Sequence, residues 1–476
     1  MSDTLTSSIL NSATLSNYRT ENAGRFDGGQ YTLSDIYGRE ANVRMECGIV
    51  LGVLLAFAGM AQEEGLSDIA PKAGWDTLPP VKASENDWPW WRGPNLDNVA
   101  PADQKPPTAW SADSNIVWHM RLPGVGHSSP CIMGDRIYIT SSEKSQGQAT
   151  IGLFSLERAT GKIVWQTELY KGPAAKMHPD NSQASATPAC DGERVFVPYQ
   201  SDTAIVMVAV GLDGKVLWNK TVSPYNTLQG FSAAPNFYKS AVILPVEGPK
   251  GSYLTAFHRA TGEVVWRTRL RSVSEGYAPA VVAHVAGRDQ LLQVGGTYSR
   301  GCDPETGALL WECEGPAKKV CVATAVFDQN TVYVTGGYPN RRLMAVRADG
   351  KGDVTTSRMT WFVDVKAGYV PSPVLRDGLL YAVTDQGLMR CYHAADGHVL
   401  WEQDFKTLFY SSPTLAGNKL YLFDRKGKGY IMPAGRAAGD IVTNELPSGV
   451  FATPVILDGR IYLRTLGDFY CIGEKR

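Results

Sequence analysis

Side chains able to do chemistry are sparse in these 476 residues, and histidine, the usual proton-transfer group near neutral pH, occurs only seven times. Two histidines stand where a site could form. His127 immediately precedes Ser128-Ser129-Pro130, and His178 lies in the longest connection of the repeat region, with Asp180, Asn181 and Gln183 close behind. Together these five could line a polar mouth or hold a metal; an ordinary loop hydrogen bond is the plainer role for each histidine. Two further stretches, Gly295-Gly-Thr-Tyr298-Ser-Arg300 and Gly336-Gly-Tyr338-Pro-Asn-Arg341-Arg342, each set an aromatic beside arginine at an expected loop tip. That pairing is enriched in binding hot spots, so the two loops are candidates for a partner, anion or sugar face. No Gly-x-Ser-x-Gly, His-Glu-x-x-His or phosphate-binding loop occurs, and no catalytic residue is assigned. No CxxC or CxxCH occurs either, so no zinc or c-type haem site is assigned, and the cysteines read as small buried hydrophobes.

The elements that must position these residues are repeats. A small residue followed by proline recurs at Ser129-Pro130, Thr187-Pro188, Ala234-Pro235, Ala278-Pro279, Ser372-Pro373, Ser412-Pro413 and Thr453-Pro454, and Val322-Ala-Thr-Ala325 fills the gap with alanine in place of proline. Successive intervals are 58, 47, 44, 46, 48, 40 and 41 residues, the period of propeller blades. Eight residues after the proline position stands Tyr138, Phe196, Ile243, Tyr333, Tyr381, Tyr421 or Tyr462, each in a β-rich run; an insertion around Val285-Ala-Gly-Arg288 breaks the offset in the fourth unit. Later in the unit a glycine turn precedes tryptophan by four residues, as in Gly161/Trp165, Gly214/Trp218, Gly262/Trp266, Gly307/Trp311 and Gly397/Trp401. The fifth unit reaches Trp361 after a longer loop, and the seventh has Gly439 with Thr443.

The pattern predicts an all-β, eight-bladed propeller of four-stranded antiparallel blades over residues 111–476. Each outer tryptophan is expected to lie over the neighbouring blade. The last unit stops after three strands, and the missing tryptophan strand stands at the other end, around Trp118. The N-terminal strand should therefore complete the eighth blade and remove its open edge.

Residues 62–110 form a lead-in rich in proline and tryptophan, with Trp88-Pro-Trp90-Trp91-Arg92-Gly-Pro-Asn95. Three tryptophans this close are costly in water, so the segment is expected to pack on the propeller. Upstream, the apolar run from Cys47 to Ala61 is shorter than the roughly 20 residues of a bilayer span. It ends in small residues with arginines on its N-terminal side, the layout of a signal peptide over 45–61 cleaved after Ala61. Residues 1–44 read as a disordered leader, or as a stretch before a true start at Met45. The expected location is periplasmic or secreted, as a monomer at most peripheral to a membrane. A formal net charge of -1 carries no electrostatic footprint for nucleic acid.

The units resemble the pyrroloquinoline-quinone (PQQ) type of propeller repeat, on the Ser-Pro and tyrosine strands and on Thr160-Gly-Lys-Ile-Val-Trp165 and Thr261-Gly-Glu-Val-Val-Trp266. The Trp90-Trp91-Arg92-Gly-Pro-Asn95 lead-in is similar to that of secreted, single-propeller members from bacteria such as the planctomycetes. The resemblance implies one of two roles: a non-catalytic, partner-binding propeller of the BamB type, or a quinone-dependent alcohol or sugar dehydrogenase with PQQ and Ca²⁺. The alcohol dehydrogenases clamp their quinone against a disulfide between adjacent cysteines, and no two cysteines adjoin here. The expected function is therefore a binding or assembly scaffold of the cell envelope, without cofactor, whose blade loops hold a protein or envelope component. A quinone oxidoreductase and an envelope-polysaccharide recognition module are the alternatives.

Overall fold

The computed structural model describes residues 66–474 apart from 112–113, 273 and 365–366. The expected leader, the signal peptide and Cys47 lie outside the described residues. Eight four-stranded antiparallel blades form a propeller, and no helix occurs among the described residues. Blades 1 to 7 span residues 131–173, 189–223, 236–269, 281–314, 326–364, 374–404 and 414–445, each with its strands hydrogen-bonded in chain order. Blade 8 takes Val455–Leu457, Arg460–Arg464 and Asp468–Ile472 from the C-terminus and Ile116–Arg121 from the other end, with Trp118 paired to Cys471. The ring is closed as the repeat arithmetic requires.

The first strand of each blade is short because it lies nearest the axis. The hairpin between the first two strands has the same register in blades 1 and 6, Cys131 opposite Tyr138 and Val374 opposite Tyr381. In blade 4 the insertion lengthens that hairpin, so its first strand runs Val281–Val285.

Tryptophan docking runs round the ring with one sense. A Cβ added at Gly161 of blade 1 would lie 2.6 Å from the Trp118 ring of blade 8, and one at Gly262 of blade 3 would lie 2.7 Å from Trp218 of blade 2. Gly161 (φ +74°) and Gly262 (φ +68°) also need positive φ, so both turn shape and ring contact call for glycine. The indole N–H then finds a carbonyl in the receiving turn: Trp118 donates to Arg158, Trp165 to Leu212, Trp218 to Arg259, Trp361 to Ala394 and Trp401 to Gly435, all at 2.9–3.0 Å. Trp266 docks on Gly307 in the same way, but its N–H has no partner.

Trp311 departs from this pattern. The longer loop of blade 5 sends Gly352–Asp353 back to pair with Trp311 and Glu312, and the indole turns into its own blade to donate to Gln290 Oε1 at 2.7 Å. In blade 7, where Thr443 stands for tryptophan, Trp110 of the lead-in stacks on Phe423 and packs into the core between blades 7 and 8. The seven described cysteines are unpaired and buried.

Burial of these rings makes a testable demand. Trp218→Ala should destabilise the protein by about 3–5 kcal/mol in equilibrium denaturation, the range for a buried aromatic emptied to alanine; no loss would remove the docking role. Deleting residues 111–124 should leave the Asp468–Ile472 edge open and produce aggregates in size-exclusion chromatography. A soluble, cooperatively folding deletion variant would contradict closure by the N-terminal strand.

Candidate functional site

The chain enters each first strand extended, so alternate residues face the axis. The residue just before the proline position and the one two before it therefore line the central channel. The nearer set carries Thr187, Thr324, Ser372, Ser412 and Thr453, and the farther set His127, Ser185, Ser232, Val370, Tyr410 and Phe451. The nearer hydroxyls also lace the blades together. The Ser129 N–H donates to Thr187 Oγ1, and the N–H groups of Thr324, Ser372, Ser412 and Thr453 donate in turn to the hydroxyls of Ser372, Ser412, Thr453 and Ser129, at 2.9–3.1 Å. This is why the repeat has a small hydroxyl before proline. Where blades 3 and 4 have Ala234 and Ala278, there is no hydroxyl to receive the bond.

One end of the channel is stopped by the lead-in. Trp88 pairs with Ile132 of blade 1, and the Pro89 carbonyl accepts from the Cys190 N–H of blade 2 at 2.8 Å. Trp90 meets Phe237 of blade 3 edge to face, and Arg92 donates to the Pro373 carbonyl of blade 6 at 2.7 Å. Asn98 holds the Pro413 carbonyl of blade 7. Trp91 reaches into the channel and donates its N–H to Thr324 Oγ1 at 2.9 Å. The result is a cup that Trp91 lines from the stopped end.

The cup wall carries a contiguous cluster of rings, with Tyr410 edge-on to Phe451. His127 lies face to face on Phe451 at 4.4 Å, and the Arg425 guanidinium sits 4.9 Å from Phe451 and 4.4 Å from Tyr410. Asp180 fixes the cluster, accepting from Arg425 at 2.8 Å and from the Tyr410 hydroxyl at 3.2 Å. Burial works against the Asp180 carboxylate, yet the hydrogen bonds from Arg425 and Tyr410 hold its pKa below the ordinary value. Loss of solvation, reinforced by the positive charges of Arg464 and Arg425, pushes the His127 pKa down to about 3. His127 is therefore a neutral ring at physiological pH and a poor general acid or base. Across the cup stand Tyr277 and Tyr369; burial raises both phenols, so they stay protonated. Asp180 is the sole carboxylate lining the cup among the described residues.

Of the residues singled out from sequence, the structure brings His127, His178, Asp180 and Asn181 together at this cup. Gln183 is buried behind it, its amide donating to the Ala175 carbonyl at 3.3 Å, and shapes the loop rather than the lining. The two aromatic–arginine loops do not join the cup as one face. Arg300 is a correction: it is buried between blades 3 and 4 rather than placed at a loop tip, with Glu247 and Glu312 both 3.6 Å away. Burying Glu247 demands a cation, and Arg300 supplies it. Tyr298 lies beside it, under the Arg271 and Arg300 guanidinium groups. Tyr338 is exposed at its loop, while Arg341 pairs with Asp385 at 2.9 Å and Arg342 with Asp364 at 2.7 Å. Trp91 belongs to the lead-in expected to pack on the propeller, whereas Tyr277, Tyr369, Tyr410 and Phe451 were missed, although the offset from each proline would have found Tyr410 and Phe451.

The comparisons agree with this architecture. The family model described as outer membrane protein assembly factor BamB matches residues 102–230, 153–361 and 347–440, more than half of the chain. The chain belongs to the BamB family. Among curated relatives, BamB of Burkholderia pseudomallei is 25% identical over 347 residues, covering 71% of this chain and 81% of the relative. The tetrathionate hydrolase of Acidithiobacillus ferrooxidans is 24% identical over 376 residues, covering 69% and 70%. Among solved structures, the quinohemoprotein alcohol dehydrogenase of Comamonas testosteroni superposes with a TM-score of 0.61 at 12% identity over 82% of this chain and 81% of that one. BamB of Moraxella catarrhalis superposes with a TM-score of 0.52 at 14% identity over 75% and 99%. At these identities the structural likenesses establish the shared propeller fold alone.

The depressed His127 pKa has a measurable sign. Between pH 3 and 6.5 the unfolded imidazole binds a proton that the folded one refuses, so this group's contribution is fully present above 6.5 and is lost as pH falls toward 3. His127→Gln should therefore flatten the fall of melting temperature across that window. Parallel pH curves for the variant and the parent would contradict the depressed pKa.

Proposed function

We propose that this BamB-family chain is a non-catalytic, exported binding and assembly scaffold of the cell envelope, which grips a protein segment in the open mouth of its cup. The observation that carries this reading is the cluster His127–Phe451–Arg425–Tyr410 anchored by Asp180. It is a rigid, pre-organised aromatic and arginine surface of the kind that forms interface hot spots. Its members are already committed to one another, which suits recognition better than proton transfer. The assembly-factor description of the family and its BamB relatives supports the same reading.

The donor set does not fit a quinone site. Ca²⁺ takes six to eight oxygen ligands, commonly several carboxylates. Among the described residues the cup offers Asp180 as its one carboxylate, and that group is engaged by Arg425 and Tyr410.

The test is capture from envelope extracts on immobilised protein, comparing the parent with a Tyr410→Ala, Phe451→Ala double variant. A specific envelope protein retained by the parent and lost in the folded variant is the expected result. Equal retention by both would overturn the cup as the binding face. Alcohol-dependent dye reduction with added PQQ and Ca²⁺, or turnover of tetrathionate, would overturn the non-catalytic reading.

A further inference from the structure

A second cluster lies far from the cup in chemistry and in sequence signal. On the outer hairpin of blade 6, Leu388–His393 turns through Ala394–Gly397 into Val399–Asp404. The hairpin places His393, Asp396 and His398 so that one ligand atom from each lies within 4.8 Å of the others. Asp396 Oδ1 is 3.1 Å from His393 Nδ1 and 2.7 Å from His398 Nδ1. Tetrahedral Zn²⁺ with bonds of about 2.0–2.1 Å needs ligand atoms roughly 3.3 Å apart, close to the His393–Asp396 spacing and reached by a parting of about 0.6 Å between Asp396 and His398.

A second observation points the same way. The His393 Nδ1 atom is buried against the turn, and its polar neighbour there is the Asp396 carboxylate at 3.1 Å, a poorly aligned contact. One carboxylate oxygen is thus approached by two imidazole nitrogens, the His398 contact being the better aligned of the two. A metal ion would engage all three.

The backbone that carries the cluster is held. The His393 N–H donates to the His398 carbonyl at 2.9 Å, and the Gly397 N–H donates to the His393 carbonyl at 2.8 Å. Gly397 lies under Trp361 of blade 5, where an added Cβ would come within 2.5 Å of the ring. The three donors therefore start close to their binding positions. His398 and Asp396 are exposed, which leaves an entry path and room for water to complete the coordination.

We propose that His393, Asp396 and His398 form a surface site for a divalent transition metal, Zn²⁺ being the class that best suits two imidazoles and one carboxylate. The site caps the turn that receives Trp361, so occupancy ties the blade 5–blade 6 contact more firmly. Cysteine spacings give no hint of it, because a His-x-x-Asp-x-His run converges only when the hairpin folds.

The test uses the purified full chain with ZnCl₂ alone, followed by isothermal titration calorimetry and thermal melting. The parent should take up one Zn²⁺ per chain and melt higher with the metal. His398→Asn and Asp396→Asn, both at exposed positions, should lose the uptake and the melting shift, while His284→Asn on blade 4 should keep both. Absence of uptake by the parent, or undiminished uptake by His398→Asn and Asp396→Asn, would overturn the site.

Discussion

At six of the eight contacts between blades, a tryptophan is seated in a glycine turn of the neighbour. A four-stranded blade cannot cover both of its faces by itself, so its stability is borrowed from the blades on either side. The indole supplies the area, the glycine supplies the room, and the N–H of the indole fixes the register by bonding a carbonyl in the turn. Such a ring has no natural end. It must be closed, and Trp118 closes it from the far terminus by docking on Gly161 across the seam.

The exceptions follow from the same constraint. Blade 5 has a long loop that adds a strand to blade 4, and Trp311 is then buried inward against Gln290. Blade 7 has no tryptophan of its own, and Trp110 arrives from the lead-in to fill the space. The segment that completes the core there also crosses the axis and places Trp91 in the channel. Ring closure, the repair at blade 7 and the stopper of the cup thus come from one stretch of chain, residues 88–121. The stopper gives a closed cup in place of an open channel, and that is what makes a binding reading physically sensible.

The fold was largely legible because its physics is periodic. Proline offsets marked the first strands, glycine–tryptophan pairs marked the outer ones, and a missing strand at one end matched a spare one at the other. The site was legible only in part. His127, His178, Asp180 and Asn181 were found because they flank the first two repeats, whereas Tyr277 and Tyr369 come from distant blades and meet only around the axis. Arg300 misled because a glycine-tyrosine-arginine run looks like a loop, and the demand of buried Glu247 is invisible in sequence. The His393–Asp396–His398 cluster was hidden for the same reason: its members face one another only across a hairpin.

Native-state hydrogen exchange tests most directly whether one N-terminal stretch both closes the ring and stops the cup. The amide of Trp88 and alternate amides of the edge strand Ile116–Arg121 are bonded to blades 1 and 8, so these should exchange as slowly as the central strands of those blades. Rapid exchange at these amides, with the blades still protected, would show a frayed segment and contradict the account.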